Sequence, residues 1–125
     1  MFAISVLDEG GRSVIVCRGE VDLVSTAEFR TVIGEQIIEG RVNLVVDLSE
    51  VSFLDSSGLG ALVAARRKAR AFKGSLVLVA AHPTVLRLLR VTALDRVFAV
   101  HPTREAALAA PIPSSTAEVD VPEPA

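Results

Sequence analysis

The 125-residue sequence predicts an α/β domain: a mostly parallel central sheet opened by a β-hairpin, with about four helices packed around it. Three observations predict this architecture. Two short β-rich segments flank a Gly-Gly pair near the start of the chain, as in an antiparallel hairpin. Short apolar segments then alternate with segments of helical periodicity, which is typical of parallel strands joined by right-handed crossovers. Half of the residues are apolar, enough for one compact core at this length.

The first half of the chain holds the hairpin, a helix and a buried strand. The hairpin strands are predicted at residues 2–7 and 13–18. Ser25 and Glu28 have capping-box spacing, which predicts a helix with Ser25 as its N-cap. The helix is extended by four apolar residues at helical spacing, Phe29, Val32, Ile33 and Ile37, and Gly40 is a natural terminator. The almost wholly apolar segment 43–48 predicts a strand covered on both faces.

The second half of the chain alternates helices and strands. A second helix is predicted to open at residues 55–58, to carry an apolar stripe and to end at Gly74. The remaining predicted elements are a buried strand at 75–80, a short helix at 83–90, a strand at 97–100 and a last helix at 103–110.

The last segment of the chain differs in composition from the rest. Residues 111–125 contain four prolines, a Ser-Ser-Thr run and three acidic residues, and no apolar period continues into them. Such a segment has too little apolar surface to form a core. The sequence therefore predicts a folded domain at 1–110 and a disordered, Pro-rich acidic tail at 111–125.

The single cysteine and the apolar segments bear on the compartment. Cys17 has no second thiol to pair with and lies in an apolar run, which favours a reducing compartment and a buried structural thiol. The first residues do not resemble a signal peptide, and no apolar segment approaches the roughly 20 residues of a membrane span. We therefore expect a cytoplasmic protein that has no membrane partner.

Charge is distributed unevenly along the chain. Residues 1–65 carry four basic and ten acidic side chains, whereas residues 66–110 carry nine basic and two acidic ones. This separation suits a charged protein partner better than nucleic acid. The basic residues of the second predicted helix cluster in its C-terminal half: Arg66, Arg67, Lys68, Arg70 and Lys73. We interpret them as a solvated helix face that complements the helix dipole, with a partner-docking patch as the alternative.

The segment between the strand at 43–48 and the helix that follows carries the most chemistry. The first turn of a helix leaves amide groups unpaired and bears partial positive charge. Ser56 in that turn either caps the helix or carries a phosphate that the amides stabilise. Gly58 and Gly60 would keep the approach to those amides clear of side chains. Spacing alone favours ordinary N-capping over a modification site.

Enzymatic alternatives find weaker support in the sequence. A serine hydrolase usually carries a Gly-x-Ser-x-Gly turn, whereas this stretch reads Asp-Ser-Ser-Gly; His82 and His101 nevertheless follow strands that could share an edge with Ser56. A dinucleotide site would need a third glycine beyond Gly58 and Gly60. We expect no enzymatic activity and no cofactor.

A metal site is also unsupported by the sequence. Asp22, Asp47 and Asp55 are scattered along the chain, and a metal ion needs several converging ligands. Asp47 at a strand end and Asp55 at a helix start are nevertheless expected to face the same crevice. We expect these carboxylates to shape a binding surface and to hold no metal.

Two motifs point to a known family. Gly19-Glu20-Val21-Asp22-Leu23 follows the second strand, and Asp47-Leu48 leads through Phe53-Leu54 to Asp55-Ser56-Ser57-Gly58-Leu59-Gly60. Together they resemble the STAS-domain anti-sigma factor antagonists, over roughly residues 1–110. The resemblance implies the STAS fold and a partner-switching role. In that role the unmodified protein binds an anti-sigma factor serine kinase and frees the sigma factor; phosphorylation ends the binding, and a serine phosphatase restores it.

The resemblance also implies individual roles. Ser56 matches the phosphoacceptor, and Ser57 is the fallback. The expected switch and partner-binding site comprises Asp22, Asp47, Asp55, Ser56, Ser57, Gly58, Leu59 and Gly60. We expect no nucleic-acid partner and a monomer when free. The alternative is a non-switching STAS scaffold or regulatory subunit that binds another protein or a small ligand. The Pro-rich tail departs from the family pattern.

Overall fold

The structure, a computed structural model, describes residues 1–113. The described elements, in chain order, are β1 (Phe2–Glu9), β2 (Arg12–Val21), α1 (Leu23–Ile38), β3 (Asn43–Leu54), α2 (Ser56–Ala71), β4 (Ser75–Val79), α3 (Pro83–Val91), β5 (Val100–His101) and α4 (Arg104–Ala109). The predicted tail lies outside the described residues from position 114 onward. Within the described chain, no helix is long and apolar enough to cross a membrane.

The five described strands form one sheet in the order β1-β2-β3-β4-β5. β1 and β2 are antiparallel, and every other neighbouring pair is parallel. Gly10 and Gly11 connect β1 to β2 with φ of 60° and 83°. A two-residue turn with both residues at positive φ matches the twist of the hairpin strands, and glycine adopts it without strain. The predicted hairpin and the mostly parallel sheet are confirmed.

Helices cover the two faces of the sheet unequally. α1, α2 and α3 pack on one face and enclose the main core, whose largest buried side chains include Phe29, Ile33, Leu44 and Leu78. On the other face, α4 contributes Ala107 to a smaller cluster with Val14, Val16, Val45, Val77 and Val79. β2, β3 and β4 are thus buried on both faces, which explains why their sequences read as continuous apolar runs.

β3 is longer than the strand predicted at 43–48. It pairs with β4 only as far as Asp47 and then continues beside β2 to Leu54. Two register shifts in this extension each insert one extra residue into β3, as β-bulges do. Ser49, Glu50 and Ser52 interrupt the apolar run because this stretch is partly exposed. The short connection expected before α2 is therefore strand.

The N-terminus of α1 also differs from the prediction. Its N-cap is Asp22, and Ser25 occupies the third helical position. The Asp22 carboxylate accepts hydrogen bonds from the amides of Val24 and Ser25, so it caps the helix three residues earlier than Ser25 would. The predicted Ser25 cap is wrong, although a capping box is present with Asp22 as its first member.

Of the strand predicted at 97–100, only Val100 lies in a strand, the two-residue β5 (Val100–His101). A 3₁₀ turn at Leu94–Arg96, entered through Ala93 at a φ of 60°, occupies the preceding residues. Phe98 is buried in the main core as a loop residue, which accounts for the apolar pattern that was interpreted as strand.

Cys17 lies on β2 inside the main core and is 1% exposed. Burial, reinforced by the negative charge of Asp47, raises the pKa of the Cys17 thiol to about 12. The thiol is therefore protonated at neutral pH, and the prediction of a buried structural cysteine is confirmed.

The basic cluster of α2 is not a uniformly solvated face. Arg67, Lys68 and Lys73 are exposed, but Arg66 is only 6% exposed. Arg66 lies four residues after the core residue Leu62, so it borders the buried stripe of the helix. The predicted solvated face is wrong at Arg66.

Candidate functional site

Two helices begin side by side at one edge of the sheet. β2 and β3 end at the paired residues Val21 and Leu54, and α1 and α2 follow directly. The Asp55 amide donates a hydrogen bond to the Val21 carbonyl at 3.3 Å, which ties the two strand ends together. The N-caps Asp22 and Asp55 therefore lie close to each other, and the charge of Asp55 acts to raise the pKa of Asp22. We refer to this pair of helix starts as the paired N-termini.

The N-terminus of α1 is closed by reciprocal hydrogen bonds. The Asp22 carboxylate accepts from the Ser25 amide at 3.0 Å and from the Val24 amide at 3.1 Å, while the Asp22 amide donates to the Ser25 hydroxyl at 2.8 Å. These bonds, led by that from the Ser25 amide, hold the pKa of Asp22 below its ordinary value. The Ser25 side chain is buried and fully engaged.

The N-terminus of α2 leaves one hydroxyl available. The Asp55 carboxylate accepts from the Gly58 amide at 3.0 Å and from the Ser57 hydroxyl, and the Ser57 hydrogen bond is the largest influence that lowers the pKa of Asp55. Ser57 is half-buried, whereas Ser56 is exposed at the first position of α2. Within residues 1–113 the Ser56 hydroxyl makes no hydrogen bond. Ser56 thus carries the accessible hydroxyl at the start of α2.

The charges around Ser56 act in opposite directions on an added anion. The start of α2 supplies partial positive charge and first-turn amides, which favour a negative group. The carboxylates of Asp22 and Asp55 lie at the same end of the sheet; they are charged at neutral pH, and hydrogen bonds lower the pKa of each further. A negative group at this position would be attracted by the helix start and repelled by the two carboxylates.

Gly58 has a different role from the one predicted, and the site of Gly60 is open. A Cβ on Gly58 would lie 2.5 Å from Leu54 Cδ1 and 3.0 Å from Val21 Cγ1, so glycine allows α2 to rest on the strand ends. A Cβ on Gly60 would meet nothing within 4 Å. Leu59 is 8% exposed and belongs to the main core. Gly58 thus serves packing, and the expected clear approach to the amides is wrong for it.

Asp47 is not part of the paired N-termini. Its carboxylate is 2% exposed, accepts two hydrogen bonds from Ser49, and lies 3.0 Å from two guanidinium nitrogens of Arg104 on α4. Burial acts to raise the pKa of Asp47, but the bonds from Ser49 and Arg104 outweigh it and lower the pKa. Asp47 is seven strand residues before Leu54, about 20 Å away. The expectation that Asp47 and Asp55 share a crevice is wrong; Asp47 anchors α4 and the first β3 bulge.

His82 follows β4 and His101 lies on β5, whereas Ser56 follows β3. His82 caps α3, where its Nδ1 accepts from the Thr84 amide. His101 pairs with Val79 on β4, at the level of Asp47 in the sheet. Because β3 extends well beyond that level, the geometry does not assemble a Ser-His nucleophile pair. Among the described residues, no three His, Cys, Asp or Glu side chains are grouped to hold a metal ion.

Comparisons with known proteins agree with this geometry. A family model described as the STAS domain matches residues 3–107. The chain belongs to the STAS domain family. It is 34% identical over 106 residues to the anti-sigma-F factor antagonist RsfB of Mycobacterium tuberculosis, covering 84% of this chain and 85% of that relative. The family and the fold predicted from the sequence are confirmed.

Solved STAS structures show the same fold. A crystal structure of an anti-sigma factor antagonist from Mycobacterium paratuberculosis superposes with a TM-score of 0.80 at 35% identity, covering 86% of this chain and 92% of that chain. The Bacillus cell fate determinant SpoIIAA in its phosphorylated form gives a TM-score of 0.67 at 25% identity, with coverages of 85% and 96%. Unphosphorylated SpoIIAA gives 0.73 at 26% identity, with coverages of 85% and 93%.

The surface around the paired N-termini of this STAS domain includes residues that the sequence analysis did not select. Leu23 and Val24, in the first turn of α1, are 73% and 84% exposed, and Phe53 near the end of β3 is 46% exposed. An open depression of about 310 Å³ beside them is lined by Met1, Phe2, Glu20, Asp22, Val24, Ser25 and Glu28. The Leu-Val pair directly after the capping Asp22 was the available clue.

Proposed function

We propose that this STAS domain is an anti-sigma factor antagonist that is switched at Ser56. In the unphosphorylated form it binds an anti-sigma factor serine kinase and so releases the sigma factor. Phosphorylation of Ser56 ends the binding, and a serine phosphatase restores it. The observation that carries this proposal is the exposed Ser56 hydroxyl at the start of α2, beside a Ser57 hydroxyl that is engaged by Asp55.

The choice of Ser56 over Ser57 follows from access to the hydroxyl. A kinase must bring the acceptor oxygen in line with the transferred phosphoryl group. Ser56 is exposed, whereas transfer to half-buried Ser57 would first break its hydrogen bond to Asp55. The relatives named as anti-sigma factor antagonists support the antagonist role, and the structure of SpoIIAA in a phosphorylated form supports modification as the switch.

The energies favour a switch in binding over a switch in folding. A phosphate adds about −1.5 to −2 charges at neutral pH. The helix N-terminus stabilises that charge by about 0.3–1 kcal/mol, which offsets repulsion by the carboxylates of Asp22 and Asp55, so we expect the fold to tolerate it. An unpaired charge buried in an interface costs about 3–5 kcal/mol. At about 1.4 kcal/mol per factor of ten, affinity would fall at least about a hundredfold.

The surroundings of Ser56 suit a protein partner. Exposed Leu23, Val24 and Phe53 supply apolar area, and the acidic side chains of Glu20 and Glu28 border it. Such a surface fits a partner with an apolar centre and a basic rim. Every group the proposal uses is a binding or acceptor group, so the domain itself needs no catalytic activity and works where the kinase and its ATP are found, in the cytoplasm.

Calorimetric titration against the purified anti-sigma factor kinase tests the proposal. Ser56→Asp is expected to remain folded by circular dichroism and to bind at least about a hundredfold more weakly than the wild type. Ser56→Ala is expected to bind like the wild type and to resist inactivation by ATP. Ser57→Ala is the matched control and is expected to remain inactivated by ATP. If Ser56→Asp bound with unchanged affinity, the non-switching STAS scaffold would be the better account.

A further inference from the structure

The outer edge of β1 is open along its whole length. β1 is the first strand of the sheet, and no described strand pairs with its outer side. All eight of its residues, Phe2–Glu9, are exposed or half-buried, and they pair with β2 without a register shift. Natural edge strands are commonly protected by Pro, Lys or a bulge, and β1 has none of these.

The hairpin geometry shows which backbone groups point outward. A two-residue turn closes on a hydrogen-bonded pair, here Glu9 and Arg12. At the other end, the Glu20 amide donates to the Met1 carbonyl at 3.4 Å. Odd-numbered residues of β1 therefore bond to β2, because hydrogen-bonded pairs alternate along an antiparallel ladder. The even-numbered residues direct their N–H and C=O groups outward: Phe2, Ile4, Val6 and Asp8.

We propose that β1 pairs antiparallel with β1 of a second copy of this chain, with the two-fold axis at Ser5. In this register Ile4 faces Val6 of the second copy, and Phe2 faces its Asp8. All the outward backbone groups then meet in hydrogen-bonded pairs, and Ser5 faces Ser5 of the second copy in a non-hydrogen-bonded pair. Of the registers that join these groups, only the one centred on Ser5 pairs all four of the outward-facing residues of β1.

The same register continues both faces of the sheet. Phe2 and Ile4 are half-buried on the face of the main core. Val6, 39% exposed, would pack against Ile4 of the second copy and extend that apolar layer. In this register even-numbered residues face even-numbered residues. Side chains that point to the main-core face in one copy therefore lie on the same face of the joined sheet as those of the second copy.

Charge favours the antiparallel arrangement over a parallel one. Asp8 and Glu9 both lie at the C-terminal end of β1, so parallel pairing would bring the acids of two copies together. Antiparallel pairing separates them and places Glu9 of one copy diagonally across from Ala3 of the other. Arg18, the neighbour of Ala3 on β2, is already paired with Glu50 at 3.1 Å, so the advantage of the antiparallel arrangement is the separation of the two acidic ends.

One strand per copy is a small interface. Stable interfaces bury about 1,200–2,000 Å², and a single eight-residue edge falls short of that. The pairing is therefore expected to be weak and to depend on concentration, with the monomer prevailing in dilute solution. The ladder uses the backbone of β1, whereas the proposed function uses side chains at the paired N-termini. Phe2 borders both, but the pairing is tested without the kinase, so either proposal can fail separately.

Disulfide trapping of the isolated full-length protein tests the pairing. Non-hydrogen-bonded antiparallel pairs have Cα atoms about 4.5 Å apart, within the range of a disulfide. Ser5→Cys is expected to form a covalent dimer under mild oxidation much faster than Ser52→Cys, a control at an exposed serine of β3. Buried Cys17 does not compete. Equal rates for the two variants would overturn the proposal.

Three further variants test the register and the ladder. Ala3 faces Leu7 of the second copy, so an equimolar mixture of Ala3→Cys and Leu7→Cys should cross-link faster than either variant alone. Adding Val6→Pro to Ser5→Cys removes an outward N–H that β2 does not use, and should slow trapping at least tenfold. If Ala3→Cys alone formed disulfide dimers as fast as the mixture, the register would be contradicted. If Val6→Pro did not slow trapping, the hydrogen-bonded ladder would be contradicted.

Discussion

The starts of α1 and α2 have the same construction and different consequences. Each helix follows a strand of the same sheet edge and is capped by an aspartate, Asp22 or Asp55. In α1 the serine of the first turn, Ser25, is buried, and its hydroxyl accepts a hydrogen bond from the amide of the capping residue. In α2 the serine that hydrogen-bonds to the cap is Ser57. A second serine, Ser56, directly precedes it in the chain and is exposed.

The difference is that α2 has a serine, Ser56, that is not needed to cap the helix. Capping is complete at both helices without Ser56, because Asp22 and Asp55 each accept the amide three residues on. Ser56 is therefore free of a structural duty within the described chain, and modifying it need not disturb the fold. A hydroxyl as buried as that of Ser25 could not be modified without disturbing the fold.

The largest effect on stability is expected at Gly58, where α2 rests on the strand ends. Gly58→Ala would crowd Leu54 and Val21 and should lower the free energy of unfolding by about 1–3 kcal/mol. Gly60→Ala is the matched control in the same helix; its site is open, so it should raise stability by up to about 1 kcal/mol. Urea unfolding measures both. Equal effects would mean that α2 does not depend on close contact at Gly58.

Removing each cap compares the two helix starts directly. Asp22→Ala should lower the free energy of unfolding by about 1–2 kcal/mol, because it removes the acceptor of two backbone amides, those of Val24 and Ser25. Asp55→Ala should cost about 0.5–1 kcal/mol, because half-buried Ser57 can turn to water. Thermal unfolding of the two variants gives the order. A greater loss for Asp55→Ala would show that α2 has the more structural cap.

The smallest effect is expected in the response to acid. The pKa values of Asp22 and Asp55 are lowered in the folded state, so each contributes stability above the unfolded value of about 3.9 and loses it as pH falls through the folded pKa. Asp22→Asn with Asp55→Asn keeps both caps without a titrating group. The double variant should lose less stability than the wild type when pH is lowered below about 4. Identical acid dependence would assign the effect to Asp47.

Local patterns in the sequence were sufficient for most of the fold. Periodicity located the helices, and the Gly10-Gly11 pair located the hairpin, because these features depend on neighbouring residues. The full length of β3 was missed because its bulged extension is held by Asp47, Ser49 and pairing with β2, which are contacts that an apolar pattern does not encode. The cap of α1 was misplaced because two capping residues, Asp22 and Ser25, stand three positions apart.

The part of the site that is contiguous in sequence was predictable. Asp55, Ser56 and Ser57 are contiguous, so a motif places them together. Asp47 was grouped with them because a strand ending at residue 48 would place it near the start of the next helix, whereas β3 continues to Leu54 and separates them. The preference for Ser56 came from a resemblance; the engagement of Ser57 by Asp55 now gives it a physical basis.

Phosphopeptide mapping tests the central claim most directly. The wild-type protein is incubated with ATP and the anti-sigma factor kinase, digested and sequenced by mass spectrometry, with Ser56→Ala as the control. The account predicts a single phosphate on Ser56 and none on Ser56→Ala. A phosphate confined to Ser57, or no phosphate with any candidate kinase that binds the protein, would contradict it.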